Sequence, residues 1–181
     1  MSTLNTKDLG VEVANHVATV EIRRPPHNFF DIDLIRQIAE TYETLDALAD
    51  CRAILLCAEG KNFCAGANFG ASDAGGAKDS SQGSLSNDLY RQAVRIFRCK
   101  KPVVAAVQGA AIGGGLGLAV SADFRVTCPE GRFSANFTKL GFHPGFGLTV
   151  TLPRLLGEQR AALLCLSSRR IDGVQAAAWG L

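Results

Sequence analysis

The sequence has few of the features that would place it outside the class of ordinary globular proteins. Its six cysteines form no C-x-x-C pair and its three histidines are not spaced as metal ligands, so we expect neither a disulfide framework nor a metal site. The cysteines are then expected to be reduced and mostly buried. A net charge of only +2 over 181 residues argues against a nucleic-acid partner.

Long apolar stretches are missing as well. No apolar run reaches the roughly 20 residues that a membrane-spanning helix requires, so we expect no membrane partner. The first ten residues, MSTLNTKDLG, have no apolar segment of the secretory type, and we therefore expect a cytoplasmic protein. With 47% apolar and 20% charged residues, the chain is expected to form a single globular domain, residues 1–181, with a sizeable core.

What the sequence does contain is a glycine-rich turn between a strand and a helix. Residues 103–122 read VVAAVQGAAIGGGLGLAVSA: an apolar strand, a break at Gly109, a triple glycine at 113–115 and a helix from Leu116. Backbone N–H groups at such a helix start can bind an anion or a carbonyl oxygen that becomes negative during a reaction. Close packing of the helix against the strand would also require small residues, so the spacing alone leaves both interpretations open.

Hydrophobic periodicity predicts a mixed α/β chain. Alternation over residues 11–22 indicates a β-hairpin, and the helical spacing after Asp31, a plausible N-cap, indicates a helix to about Leu48. The continuous apolar run inside 51–58 favours a strand of a parallel sheet. Further strands are predicted at 123–127 and 132–137, and further helices at 85–101, 148–156, 158–166 and from 171 onwards. Residues 70–86, rich in Gly, Ala and Ser, fit either a mobile lid or a simple connector.

Several segments in this order carry a resemblance to a known family. KNFCAGANF, QGAAIGGGLGLAVSADFRV and FSANFTKLGFHPGFGLTVTLPRLLG, flanked by RRPPHNFFDIDLI and SRRIDGVQAAAWGL, resemble the crotonase, or enoyl-CoA hydratase/isomerase, superfamily. The resemblance implies a spiral of ββα units and acyl-CoA thioesters as substrates, with no separate cofactor. It also implies a homotrimer or a dimer of trimers, packed by C-terminal helices. The sequence stops at Leu181, before those helices, so we expect a truncated chain.

The same resemblance implies an oxyanion hole made of two backbone N–H groups, which fall on Ala67 and Gly114. Two glutamates that hold and activate water in hydratases of this family fall on Gly117 and Phe137, so both carboxylates are absent. Because general acid–base groups contribute roughly 10²–10⁴-fold each, we expect poor hydration of crotonyl-CoA. We also expect a pocket that is less polar and roomier at these two positions.

The proton carrier that would replace the glutamates stays open. His143 lies in the glycine-rich bend GFHPGFG and could act as a base, although a turn histidine that caps the following helix is the more ordinary interpretation. Cys64 and Asp123 are expected to be structural. The resemblance further implies these substrate contacts, with Arg23 and Lys61 near the adenine end of CoA: Arg23, Lys61, Ala65, Asn68, Gly113, Gly117 and Phe137. The alternative is a non-catalytic acyl-CoA-binding protein, which would need the N–H groups but no acid or base.

Overall fold

The computed structural model describes residues 2–3, 6–67 and 83–181, with side chains for 6–67 and 88–181, and its framework is two β-sheets. Nine strands belong to them: β1 Ser2–Thr3, β2 Leu9–Ala14, β3 Val17–Ile22, β4 Ala53–Ala58, β5 Val103–Val107, β6 Ala110–Ile112, β7 Phe124–Thr127, β8 Arg132–Ser134 and β9 Ile171–Asp172. The larger sheet has the order β1-β2-β3-β4-β5-β7, and the smaller one the order β6-β8-β9.

Six α-helices and one 3₁₀ turn pack around these sheets. Their bounds are α1 Ile32–Ala47, α2 Gly83–Ile96, α3 Gly114–Val120, α4 Leu148–Leu156, α5 Glu158–Ser167, α6 Gly173–Trp179 and, for the 3₁₀ turn, Thr138–Leu140. Within the described residues, none of these helices combines the length and apolarity needed to cross a membrane.

The chain repeats one unit, in which two strands are followed by a helix. In β2-β3-α1 and β5-β6-α3 the order is explicit, and β7-β8 leads through the 3₁₀ turn to α4. The strands β3, β4, β5 and β7 pair in parallel, whereas β1, β2 and β3 pair antiparallel. In the unit that follows β4, single bridges pair Cys64 with Ala111 and Ala67 with Phe30. This arrangement confirms the expected mixed α/β fold with ββα units.

Helix α1 forms where its sequence pattern predicted it. The carboxylate of Asp31 accepts a hydrogen bond from the backbone N–H of Leu34 at 2.9 Å, as an N-cap residue should. The apolar positions lie on one buried face at helical spacing and pack into the core: Leu34, Ile35, Ile38, Ala39, Tyr42 and Leu45. The predicted hairpin of residues 11–22 is confirmed as β2-β3, and the turn between them holds Asn15 and His16 at positive φ.

Several predicted bounds are wrong for identifiable reasons. Helix α2 ends at Ile96 rather than at Lys101, because the carboxylate of Asp46 accepts the backbone N–H of Lys100 at 3.0 Å and draws the chain towards α1. Helix α3 begins at Gly114, two residues before the predicted start, since glycine costs little at a helix N-terminus. Residues 83 and 84, predicted only as loop, are already helical, as are 85 and 86, where the loop and helix predictions overlapped. The rest of the loop prediction lies outside the described residues.

The cysteines are free thiols, as expected, but fewer of them are buried than expected. Cys51 and Cys64 are buried, and the other four are half-buried. Asp123 is structural, because its carboxylate accepts the backbone N–H of Val103 at 2.8 Å at the start of β5. The extended segment predicted for 132–137 is shorter than expected: β8 ends at Ser134, and Phe137 has helical dihedral angles at the start of the 3₁₀ turn.

Candidate functional site

The first part of the candidate site is the loop of residues 64–67, which we call the first amide segment. The N–H of Phe30 donates to the carbonyl oxygen of Gly66 at 3.0 Å, and the N–H of Ala65 donates to the carbonyl oxygen of His27 at 3.0 Å. The N–H of Ala67 has no acceptor among the described residues. The segment is therefore anchored directly before one backbone donor that stays available.

A buried asparagine holds the loop on which the first amide segment rests. The side-chain amide of Asn28 donates to the carbonyl oxygens of Glu59 at 2.8 Å and Asn62 at 2.7 Å. Its side-chain oxygen accepts the N–H of Arg24 at 2.9 Å. Asn28 is fully buried and has a φ of 50°, a conformation that asparagine tolerates better than most residues. Three satisfied hydrogen bonds therefore fix the position of residues 27–30.

Ion pairs hold the outer side of the same loop. The guanidinium of Arg24 contacts the carboxylates of Asp8 at 2.6 Å and Asp31 at 2.8 Å, and the amide of Gln37 donates to Asp8 at 2.8 Å. The hydrogen bond from Arg24 lowers the pKa of Asp8. Burial would raise the pKa of Asp31, but the hydrogen bonds from Arg24 and from the N–H of Leu34 outweigh it and lower that pKa. Both carboxylates are therefore held in their charged form.

The second part is the turn into α3, residues 113–117, which we call the second amide segment. The N–H of Gly113 donates to the carbonyl oxygen of Ser134 at 2.8 Å, and the N–H of Gly117 donates to the carbonyl oxygen of Gly113 at 3.1 Å. Between these two, the N–H groups of Gly114, Gly115 and Leu116 have no acceptor in the described part of the chain, and that of Gly114 is the first of them. As the first residue of α3, it has no partner within the helix either.

Backbone contacts join the two amide segments directly. The N–H of Cys64 donates to the carbonyl oxygen of Ala110 at 2.8 Å, and the N–H of Ile112 donates to the carbonyl oxygen of Cys64 at 3.0 Å. A Cβ atom added at Gly115 would lie 2.1 Å from the carbonyl oxygen of Cys64, so only glycine permits this approach. Burial raises the pKa of the Cys64 thiol to about 12, which leaves it neutral and excludes it as a nucleophile near neutral pH.

Aromatic rings pack against the second amide segment. A Cβ added at Gly114 would lie 2.3 Å from Cζ of Phe30, so the ring of Phe30 lies against the backbone at this donor. The ring centroid of Phe146 is 5.8 Å from that of Phe30 and 6.3 Å from that of Phe97. The surroundings of the Gly114 amide are thus apolar, and a hydrogen bond made there is worth more than one made in water.

The two positions where the resemblance expects glutamates differ in what surrounds them. A Cβ added at Gly117 would lie 2.5 Å from Cβ of Phe146, so the expected extra room at this position is wrong: Phe146 fills it. Phe137 is half-buried, and its ring carbon Cε2 would lie 3.8 Å from a Cβ at Gly113. Gly117 belongs to the second amide segment, Phe137 lies close to it, and both positions are apolar.

The other predicted site residues are more dispersed. His143 is exposed in the bend before α4, and no described contact joins it to either amide segment. Arg23 is exposed and paired with Glu21 at 2.7 Å, and Lys61 is exposed. Asn68 lies outside the described residues. Gly113 is used structurally through its N–H, as is Ala65.

Sequence reasoning missed four residues that shape the site: Asn28, Phe30, Tyr90 and Phe146. Asn28 and Phe30 lie in the segment HNFF, for which the sequence predicted no role beyond leading into α1. Tyr90 on α2 is 39% exposed, but its hydroxyl oxygen would lie 2.1 Å from a Cβ added at Gly145, and partial burial raises its pKa. The available signal was the bulky Phe146 between two glycines in PGFG, since aromatic residues are uncommon in such bends.

Together, the ββα fold, the contact between the two amide segments and the apolar lining fit a protein of the crotonase class. The family model for enoyl-CoA hydratase/isomerase matches residues 12–181, and the chain belongs to that family. It is 38% identical over 157 residues to "Probable enoyl-CoA hydratase EchA14" of Mycobacterium tuberculosis, with 85% of this chain and 60% of that protein covered. It thus spans about three fifths of that relative's length.

Other relatives agree on the family and differ in their reactions. The chain is 33% identical to the 1,2-epoxyphenylacetyl-CoA isomerase of Escherichia coli (strain K12), and the match covers 93% of this chain and 66% of that protein. Among solved structures, Pseudomonas aeruginosa DspI superposes with a TM-score of 0.90 at 27% identity, over 97% of this chain and 67% of that chain.

Proposed function

We propose that this protein acts on acyl-CoA thioesters and stabilises the enolate of the thioester at the N–H groups of Ala67 and Gly114. The observation that carries the proposal is that both amides lack acceptors among the described residues, Ala67 directly after a loop held by backbone hydrogen bonds and Gly114 at the start of α3. When the α-carbon of a thioester loses a proton, the carbonyl oxygen becomes negative. Donors fixed by the fold stabilise that charge without reorganising, and each contributes roughly 10²–10³ in rate.

The reaction would differ from ordinary hydration of crotonyl-CoA. With Gly117 and Phe137 at the positions of the two glutamates, no carboxylate is available there to hold water. Isomerisation, decarboxylation, hydrolysis or hydration through another acid then remain as reaction types. His143 is our first candidate for the proton carrier, and the hydroxyl of Tyr90, next to the same bend, is the second.

The proposal extends to the rest of the substrate and to the assembly. Arg23 and Lys61 are exposed cations that could contact the phosphates of CoA. Because Arg23 is already paired with Glu21, Lys61 is the better candidate. We further propose that residues 1–181 form one acyl-CoA-binding domain of a cytoplasmic protein that assembles as a trimer.

Binding of acetoacetyl-CoA tests the enolate directly. This ligand ionises to an enolate that absorbs at longer wavelength, so a working pair of donors should increase the enolate absorbance on binding. Ala67→Pro removes one N–H group and should reduce the enolate signal about 100-fold, whereas the matched variant Ala67→Ser keeps the N–H and should retain it. Equal enolate signals from the two folded variants would contradict the role of Ala67.

The second candidate function is binding of acyl-CoA without catalysis. The observation that favours it is the absence of acidic side chains at both Gly117 and Phe137. His143→Ala and Tyr90→Phe separate the two functions, since an enzyme should lose turnover in at least one of them while acyl-CoA binding persists. If both variants keep every activity of the unaltered protein, neither side chain carries the proton. If the unaltered protein binds acetoacetyl-CoA without enolate formation, the binding function is correct.

A further inference from the structure

Two parallel strands of the smaller sheet end side by side at the second amide segment. Strands β6 and β8 pair in parallel, and Ile112 and Ser134 form the last pair between them. The chain continues from β6 into Gly113 and Gly114, and Asn136 follows two residues after the end of β8. Because open α/β sheets bind their ligands at the carboxyl ends of parallel strands, the side chain of Asn136 is a candidate for contact with a substrate.

Asn136 directs its carboxamide towards this segment. Its side-chain oxygen, Oδ1, would lie 2.9 Å from a Cβ atom added at Gly113, and no other atom lies closer to that position. The next nearest is Cε2 in the ring of Phe137, at 3.8 Å. Gly113 directly precedes Gly114, the first residue of α3, so the carboxamide contacts the residue next to the proposed donor.

The carboxamide of Asn136 has unused capacity for hydrogen bonding. A carboxamide carries two N–H donors and an oxygen that accepts. Asn136 is half-buried, yet its side chain makes no hydrogen bond within residues 6–67 and 88–181, whereas the side chain of Asn28 makes three. Polar groups away from water are normally paired, because an unpaired one costs stability. The fold therefore leaves the carboxamide of Asn136 available to a ligand.

The same lack of hydrogen bonds leaves the orientation of the carboxamide free. A rotation of 180° about its terminal torsion exchanges Oδ1 with Nδ2, and that torsion has two broad minima. Nδ2 can therefore take the place that Oδ1 occupies beside Gly113. A bound anion would select this second orientation, since an anion accepts hydrogen bonds from N–H groups and is repelled by the lone pairs of an oxygen.

We propose that Asn136 donates a third hydrogen bond to the thioester oxygen that the N–H groups of Ala67 and Gly114 bind. This inference rests on the proposed function, because it requires an enolate at these amides. When a base removes the α-proton, the electron pair of the broken C–H bond forms a carbon–carbon double bond and the carbonyl π pair moves to the oxygen. A donor beside Gly113 stabilises that negative charge, and the apolar surroundings of the Gly114 amide strengthen the hydrogen bond.

Two replacements of Asn136 separate this contact from a structural role. Aspartate has nearly the shape of asparagine, but its carboxylate repels an enolate, whereas alanine only removes the carboxamide. If Asn136 merely shapes the chain, Asn136→Asp should therefore be the milder variant. If Asn136 contacts the enolate, Asn136→Asp should be the more damaging one.

Thermal unfolding tests, without any ligand, whether the carboxamide is unpaired in the protein. Asn136→Ala should change Tm by less than about 3 °C, because no hydrogen bond within the protein is lost. Asn28→Ala, which removes three hydrogen bonds, should lower Tm by at least about 4 °C. A decrease for Asn136→Ala as large as that for Asn28→Ala overturns the proposal, because the carboxamide would then be structural.

The enolate absorbance of bound acetoacetyl-CoA at pH 8 tests the contact itself. Asn136→Ala should lower the ratio of bound enolate to bound keto form about 10–100-fold, as expected for one hydrogen bond to a charged group. Asn136→Asp should lower that ratio further. Asn15→Asp places the same charge in an exposed turn and should leave the ratio unchanged, which controls for net charge. If Asn136→Asp retains more enolate than Asn136→Ala, the proposal is overturned.

The unaltered protein and Ala67→Pro separate this inference from the proposed function. If the unaltered protein binds acetoacetyl-CoA without forming enolate, the proposed function is wrong and the third donor falls with it. If the unaltered protein forms enolate, Ala67→Pro loses it and Asn136→Ala keeps it in full, the proposed function stands and only the contact from Asn136 is overturned.

Discussion

Different forces hold the two amide segments of this site. Residues 64–67 rest on a polar framework, in which Asn28 and Arg24 make hydrogen bonds and ion pairs with the surrounding chain. Residues 113–117 are held by close contact between glycine backbone and aromatic rings. Hydrogen bonds tolerate small shifts, whereas contact at van der Waals distance tolerates almost none. The second segment should therefore be the more sensitive to the addition of a single methyl group.

The largest effect is expected where the two segments touch. Gly115→Ala would place a Cβ 2.1 Å from the carbonyl oxygen of Cys64, which is backbone and cannot rotate away. We expect the variant to lose at least about 4 kcal/mol of unfolding free energy, measured by urea denaturation. Gly141→Ala is the control, because it also adds a methyl group to a glycine, at a φ of 78° with no atom within 4 Å, and should cost only about 1–2 kcal/mol. Equal losses would mean that the contact with Cys64 is not tight.

The polar framework of residues 64–67 is tested by replacing Asn28, which makes three of its hydrogen bonds. Asn28→Ala leaves the carbonyl oxygens of Glu59 and Asn62 without their buried donor and should cost about 2–4 kcal/mol in the same urea experiment. Asn15→Ala has a similar φ of 50° in an exposed turn and controls for the backbone effect. A loss no greater than that of the control would show that backbone conformation, and not hydrogen bonding, is the reason for Asn28.

Low pH should weaken the polar framework of residues 64–67 before it affects the packing of residues 113–117. The folded-state pKa values of Asp8 and Asp31 are lowered, so their contribution to stability is present above the unfolded pKa of about 4 and is lost as the pH falls through the folded values. Arg24→Gln should lower the free energy of unfolding by about 1–3 kcal/mol at pH 7 and by progressively less below pH 4. Arg36→Gln, which removes the same charge from exposed pairs, should change stability by less than about 1 kcal/mol at either pH. A pH-independent loss for Arg24→Gln would contradict the ion-pair explanation.

Local sequence patterns predicted the fold better than the site. The N-cap Asp31 and the helical spacing of Leu34, Ile38 and Leu45 predict α1 from one short stretch of sequence. The proposed roles of Ala67 and Gly114 came only from the resemblance, since a backbone N–H leaves no trace in side-chain identity. The contact between Gly117 and Phe146 could not be predicted, because the two residues are distant along the chain and a positive φ at phenylalanine has no sequence signal. For that reason the expectation of a roomier pocket was wrong.

The smallest effect is expected from a hydroxyl that belongs to neither framework. Tyr42 lies on the buried face of α1 at 2% exposure, its hydroxyl has no partner in the described part of the chain, and burial raises its pKa. If hydrogen-bonding groups help only where they are satisfied, Tyr42→Phe should raise the unfolding free energy by about 1 kcal/mol. Tyr90→Phe, at an exposed position, should change it by less than about 0.5 kcal/mol. A loss of stability in Tyr42→Phe would mean that this hydroxyl has a partner, and that polar contacts support the apolar side of the molecule as well.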